Sequence, residues 1–257
     1  MKAKRLRSEL TPPLTGIAGL VLVWALLAAL TSTRSIPSPL DAWRALWHGV
    51  GDGSISTAAA KTLVRLAFGF GVAIAIGTAL GFALALNEFS RRAVRPLVVA
   101  LQITPFVAWL PLAVIWFGRT ERAVVFVTIM GAFPSMTLAT IQAFRQVPPL
   151  YSRAGRTMGA DGWTLYREVL FPAALPGYMA GLQQAWGFAW KALMAAELIV
   201  AALGSNGLGN LLEDARSDVP TLAATVAVIA LIGVAVDYLV FGSLDRRIRS
   251  KRGLLQV

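Results

Sequence analysis

Arg153-Ala154-Gly155-Arg156-Thr157-Met158-Gly159, followed after nine residues by Val169-Leu170-Phe171-Pro172, is a polar, basic stretch between two long apolar runs. The runs flanking it, about 122–144 and 173–203, are each long enough to cross a hydrocarbon core. Such a core is ~30 Å thick and takes about 20 residues of helix. Similar runs at about 14–33, 63–87, 97–118 and 221–243 bring the number to six. The chain has 257 residues, of which 56% are hydrophobic and 14% charged, with a mean hydropathy of +0.65. In lipid a backbone has to satisfy its own hydrogen bonds, so the expected fold is an all-α integral membrane protein of about six transmembrane helices.

The net charge of +11 suggests nucleic acid at first sight, but its distribution excludes that reading. With the N-terminus inside, Lys2, Lys4, Arg5, Arg7, Arg91, Arg92, Arg95, Arg145, Arg153, Arg156, Arg167 and the basic tail from Arg246 all fall on the cytoplasmic side. Arg34, Arg44, Lys61, Arg65, Arg119, Arg122 and Arg216 fall outside. This is the positive-inside asymmetry of a multi-pass protein with both termini in the cytoplasm. The divisions are a cytoplasmic tail at 1–13, a single membrane domain at 14–245 with its core at 60–245, and a basic tail at 246–257. No small-x-small cleavage site follows Leu30, so the first run is expected to be retained. Cysteine is absent and His48 is the single histidine, which leaves no disulfide framework, metal centre or histidine-based triad.

Within the runs, several features call for an account. The outside segment 34–62 carries Trp43, Leu46 and Trp47 at helical spacing and reads as an interfacial helix. Gly69, Ala73, Gly77 and Gly81 recur every four residues, a stripe that permits close helix packing within the subunit or with a second copy. Pro105 and Pro111 interrupt the third run and Pro134 the fourth, so a kink is expected at each. Gln102 and Thr104 lie beside the first of these and are candidates for a cavity wall. The fifth run holds Gln183, Gln184, Trp190, Lys191 and Glu197. Gln183, Trp190 and Glu197 share one stripe, and Gln184 and Lys191 share the next. Lys191 and Glu197 are six residues apart and cannot pair on one helix. A lysine near the bilayer centre costs about 2.5–3.5 kcal/mol on insertion scales. It therefore snorkels to the interface, pairs with an acid on another span, or lines a path for anions. Glu197 is expected in the outer interface, and Asp237 beside a basic residue at the inner leaflet. Gly204-Ser205-Asn206-Gly207-Leu208-Gly209 lacks the dinucleotide spacing and reads as an outside turn, followed by the acidic, exposed LLEDARSD segment.

The polar stretch itself, 145–172, is the longest cytoplasmic loop. Residues 150–158 form a short helix, Gly159-Ala160-Asp161-Gly162 a turn, and 163–171 a second helix with Asp161 as N-cap through its carboxylate. Trp163, Leu165, Tyr166 and Val169 then offer an apolar surface suited to a groove on a partner.

The pattern Arg153-Ala154-Gly155-x3-Gly159-x9-Val169-x-Phe171-Pro172 resembles the E-A-A-x3-G-x9-I-x-L-P loop of permease subunits in binding-protein-dependent ABC importers. The continuation AALPG, the LQITPFVAWLPLAVIWFG stretch, AWKALMAAEL, SNGLGNLLEDAR and the Gly233…Asp237 pair are similar to the branch that handles nitrate, sulfonates, taurine and bicarbonate. The matches run from about residue 60 to 245. Two positions depart from the family pattern: Arg153 stands in place of glutamate, and Lys191 where the sulfonate type has an apolar residue.

This resemblance implies a type I ABC importer transmembrane fold in a bacterial inner membrane. Gly159, Ala160, Asp161, Gly162, Trp163, Leu165, Tyr166, Val169 and Pro172 would then form a coupling helix that docks a cytoplasmic ATPase. The translocation path would draw on Gln102, Thr104, Gln183, Gln184, Trp190, Lys191 and Glu197. A second copy of the chain, two cytoplasmic ATPase subunits and an extracytoplasmic solute-binding protein are the implied partners. No G-x-x-x-x-G-K-[ST] occurs, so ATP and magnesium are expected on the partner and no cofactor on this chain. A small anion is the expected cargo, aliphatic sulfonate or taurine first, nitrate or bicarbonate next. A pyrimidine-type vitamin precursor is the alternative within the family. A stand-alone secondary transporter is the rival from another class. An integral membrane enzyme is disfavoured because neither H-E-x-x-H nor G-x-S-x-G occurs.

Overall fold

The computed structural model describes residues 2–31, 36–200 and 206–250, with side chains from Thr15 onward except those of Asp245 and Arg249. The described residues are almost entirely helical. In chain order the helices are α1 (Lys2–Leu30), α2 (Pro39–Gly51), α3 (Ser54–Leu86), α4 (Glu88–Ile103), α5 (Leu110–Phe117) and α6 (Glu121–Arg145). They are followed by α7 (Pro149–Thr157), α8 (Gly162–Leu165), α9 (Phe171–Ile199), α10 (Leu208–Asp214), α11 (Val219–Val236) and α12 (Gly242–Ser250). Two π-helical turns, Tyr166–Leu170 and Asp237–Phe241, lead into α9 and out of α11.

Three of these are long and apolar enough to cross a membrane: α3, α6, and the continuous run Val219–Ile248. α4 and the segment Phe106–Phe117 meet the same measure together, but they are bent by 95° and count as one broken span. The apolar part of α1, Thr15–Leu30, is shorter. α9 is long enough at 29 residues but is diluted by its polar side chains. The six expected runs thus all map onto helices, although they do not form six uniform spans. The helix of the first run also continues back to Lys2, through the segment read as a tail.

The prolines act differently from one another. Thr104 and Pro105 stand extended between α4 and a 3-10 turn, Phe106–Trp109, so the expected kink is a sharp corner. Pro111 lies in the first turn of α5, where the missing N–H is no loss. Pro134 is buried inside an uninterrupted α6, so the kink expected there does not break the helix.

α6 is the central post. α3 packs along one side of it and α9 along the other, with small residues at the closest approaches. The stripe Gly69, Ala73, Gly77, Gly81 is buried against α6 within the same subunit. A Cβ placed on Gly81 would lie 2.6 Å from the Thr137 carbonyl oxygen and 2.6 Å from Thr140 Cβ. On the other side Gly131 meets Ala192, and Gly181 meets Ala139. Buried Thr128 and Thr140 donate their hydroxyls to Val124 and Met136 carbonyls at 2.8 Å, so these polar groups need no partner on the facing helix. α2 lies against α11 and α3 with Ala42 buried, while Trp43 and Trp47 stack outward as expected of an interfacial helix.

Gly81→Val should therefore force α3 off α6 and lower stability by about 1–3 kcal/mol. Gly71→Ala, with open space around its Cβ, should leave stability unchanged. Thermal unfolding of the two purified variants in detergent checks this.

Candidate functional site

Three sets of residues carry the chemistry of the fold. The first is the 149–172 segment. α7 ends in a Schellman arrangement: Ala160 N–H donates to Gly155 O and Gly159 N–H to Arg156 O, both at 2.9 Å. Gly159 takes φ +86, which favours glycine at that position. Asp161 then stands extended as N-cap of α8, and its carbonyl accepts from Thr164 and Leu165. Its carboxylate makes no capping bond, contrary to the expectation. Nor does the second helix stop at Pro172. α8, the π turn and α9 form one continuous helical rod from Gly162 to Ile199, with Pro172 in the first turn of α9.

The apolar surface expected on this segment is divided by the packing. Leu165 is buried and Val169 half-buried, and both turn inward onto Gly155 of α7. A Cβ at Gly155 would lie 2.7 Å from Leu165 Cδ1, so the third position of the motif has to be small. Tyr166 packs against Phe82 at 5.9 Å between ring centroids. Phe171 joins the same cluster with Phe82 and Phe144, tying the segment to the ends of α3 and α6. What remains outward is a tip: Met158 at 86% exposure, Gly159, Asp161, Gly162 and Trp163 at 63%, the Trp163 ring also standing edge-on to Phe82 and Phe171. Ala160 is half-buried behind it. Met158 escaped the sequence reading because it lies in a variable position of the motif. Arg153 is exposed on α7 and forms no ion pair among the described residues, and nothing in the structure explains its charge reversal.

The second set lies toward the other end of α3 and α9. Glu197 is 1% exposed, so the expected place in the outer interface is wrong. Its Oε1 accepts from Arg65 Nη1 at 2.7 Å, and both its oxygens lie within reach of the Thr62 hydroxyl at 2.9–3.1 Å. Its Oε2 accepts from Gly209 N–H at 3.0 Å. Asn210 Nδ2 donates to the Glu197 carbonyl at 2.8 Å, and Leu208 N–H to Thr62 Oγ1 at 2.9 Å. Arg65 reaches on to Glu121 at the start of α6, at 2.8 Å. Residues 207–210 therefore close over the carboxylate as a cap; residues 204 and 205 of the expected turn lie outside the described residues. A side chain at Gly207 would run into the Glu197 carboxylate, and a Cβ at Gly209 would lie 2.5 Å from Glu197 Cβ. Trp190 is buried as well, stacked on Trp186 at 5.8 Å and facing Gly233. Trp190 and Glu197 thus belong to the packed interior of the subunit.

The third set is the outward face of α9. Gln184 and Lys191 are exposed, seven residues apart, and Lys191 makes no ion pair among the described residues. The partner acid expected for it is not found among the described residues. Gln183 donates to Asp237 Oδ1 at 2.8 Å, at the π turn after α11. That replaces the basic partner expected for Asp237. Gln102 and Thr104 are half-buried at the corner after α4, where the Thr104 hydroxyl donates back to the Ala100 carbonyl at 2.8 Å. They are not brought together with the α9 pair by any bond. The described residues include no group of three or more acidic or histidine side chains able to hold a metal ion.

Comparison with known proteins gives a consistent assignment. The family described as binding-protein-dependent transport system inner membrane component matches residues 71–250. The bicarbonate transport system permease protein CmpB of Synechococcus elongatus is 29% identical over 238 residues, 88% of this chain and 84% of that protein. The taurine transport system permease protein TauC of Escherichia coli is 28% identical over 260 residues, 98% of this chain and 93% of that protein. A solved chain of the MetNI methionine ABC transporter, in an inward-facing conformation, superposes with a TM-score of 0.62 at 22% identity. It covers 76% of this chain and 96% of its own length, and supports the fold.

Because Glu197 is fully buried and charge-paired, Glu197→Gln should destabilise the subunit by about 3–5 kcal/mol, leaving buried Arg65 with only the exposed Glu121 to balance its charge. Arg65→Met combined with Glu197→Met should recover part of that loss. Thermal unfolding of the single and double variants measures both.

Proposed function

The chain belongs to the inner membrane components of binding-protein-dependent transport systems, as a permease and not an enzyme, and from that premise we propose that it forms the anion path of an ABC importer. The cargo in this reading is a small anion, aliphatic sulfonate or taurine first, nitrate or bicarbonate next. The observation that carries it is Lys191, an exposed cation on a membrane helix with no acid bonded to it among the described residues. Burying such a charge against lipid is costly, so a water-filled path is the setting that suits it. Gln184, one helical repeat along the same face, adds a hydrogen-bonding side chain to that path. Two copies of the chain, placed with these faces toward each other, would give a path lined from both sides.

Energy in this reading comes from a pair of cytoplasmic ATPase subunits holding ATP and magnesium, with a solute-binding protein delivering cargo on the opposite side. The tip Met158–Trp163 is the dock, and both termini face the cytoplasm with it. The rod Gly162–Ile199 supports this assignment, because a load on the tip reaches the Lys191 face without crossing a hinge loop. Closing of the ATPase pair then favours one of two arrangements of the permease dimer, which is what coupling requires.

Trp163→Glu should reduce ATP hydrolysis stimulated by the binding protein at least tenfold in the reconstituted complex, while the folded permease is still recovered. Unchanged stimulation would refute the dock. Lys191→Leu should lower anion uptake about tenfold, equivalent to ~1.4 kcal/mol, and Lys191→Arg should restore it. Proteoliposome uptake with a panel of taurine, nitrate and bicarbonate checks both the lysine and the cargo.

A further inference from the structure

At the same end of the bundle as the 149–172 segment, Glu88, Arg91, Arg92, Arg95, Pro96 and Arg145 line a pocket of about 390 Å³. Asn87 caps α4 by accepting from the Phe89 and Ser90 N–H groups, which sets the first turn of α4 against the last turn of α6. Glu88 holds Arg91 at 3.0 Å and Arg92 at 2.8 Å. Arg95 and Arg145 form no ion pair among the described residues. Four guanidinium groups against one carboxylate leave three positive charges uncompensated around a single cavity. Guanidinium groups suit phosphate oxygens, which they bind in pairs.

The surroundings of the pocket are apolar and open. Phe89 is 81% exposed and Leu97 64%, at either end of the arginine cluster on α4. Beyond Pro96 the helix becomes wholly apolar except for Gln102. A soluble phosphate would use the arginines and leave that apolar rim in water. A lipid would cover both, with its phosphodiester among the arginines and its acyl chains along the rim. Basic pockets between membrane helices are suited to anionic headgroups in this way.

We propose that the pocket formed by Arg91, Arg92, Arg95 and Arg145 binds the headgroup of an anionic phospholipid. The site depends on the membrane setting of the chain and not on what the chain transports. Glu88 keeps the cluster in order by anchoring two of the arginines, and Arg95 and Arg145 supply the charge that discriminates anionic from zwitterionic lipid. A lipid there would join the ends of α4 and α6 next to the coupling segment.

The test is native mass spectrometry of the full chain in detergent, with phosphatidylglycerol and phosphatidylcholine of equal chain length. Phosphatidylglycerol should be retained at least fivefold more. Arg95→Gln with Arg145→Gln should abolish that preference, whereas Arg246→Gln with Arg247→Gln in the tail should preserve it. If the double variant does not stay monodisperse, exposed Arg145→Gln alone should still halve the preference. Equal retention of both lipids overturns the site, as does a preference that survives both pocket variants. Complete displacement by millimolar inorganic phosphate would assign the pocket to a soluble anion and overturn the lipid. Neither an ATPase nor a cargo is present, so failure here leaves the transport reading untouched, and failure of transport leaves this result readable.

Discussion

The contact on which one end of the helix bundle depends is the buried carboxylate of Glu197. An unpaired charge in that position would cost several kcal/mol, and this one is matched by Arg65, Thr62 and the Gly209 amide together. Each partner comes from a different place: α3 supplies Arg65 and Thr62, the loop before α10 supplies Gly209, and Arg65 extends the link to Glu121 on α6. Satisfying one acid therefore fixes the positions of α3, α6, α9 and the 207–210 cap relative to one another. The two glycines of the cap are there because the backbone has to come within contact distance of the acid.

The opposite end is held by different physics. Phe82, Phe144, Tyr166 and Phe171 form an aromatic cluster with no charge in it, joining the ends of α3 and α6 to the start of the rod. Between the two ends, α6 is enclosed by glycine and alanine contacts that bring backbones close on both sides. In lipid, where apolar burial gives little drive, such close packing is a main source of helix association. The result is a closely packed unit from which the tip Met158–Trp163 projects at one end, while Lys191 faces outward from α9.

Legibility in the sequence varied with the range of the interaction. The apolar runs, the helix carrying Trp43 and Trp47 and the turn at Gly159 were all readable, because each rests on hydropathy or local backbone geometry. The glycine stripe predicted close packing, but not whether α6 or a second copy would fill it. Glu197 was misplaced: its distance from the end of the run suggested the interface, while its true partners lie 132 and 135 residues away. Leu165 and Val169 look like a docking surface by periodicity, yet they are used internally against Gly155. Periodicity identifies an apolar face without saying what covers it.

By itself, then, the sequence determined that the chain is a helical membrane protein with a motif-bearing loop between two spans, since composition and spacing are local and survive without a fold. Only the tertiary structure decided that Glu197 is sealed under a glycine cap, that Asp237 answers Gln183, that Pro105 marks a right-angle corner while Pro134 does not, and that Lys191 is left facing outward. Those outcomes depend on which helix lies beside which. Side chains far apart in the sequence have to meet before desolvation and packing can choose among the partners that composition allows.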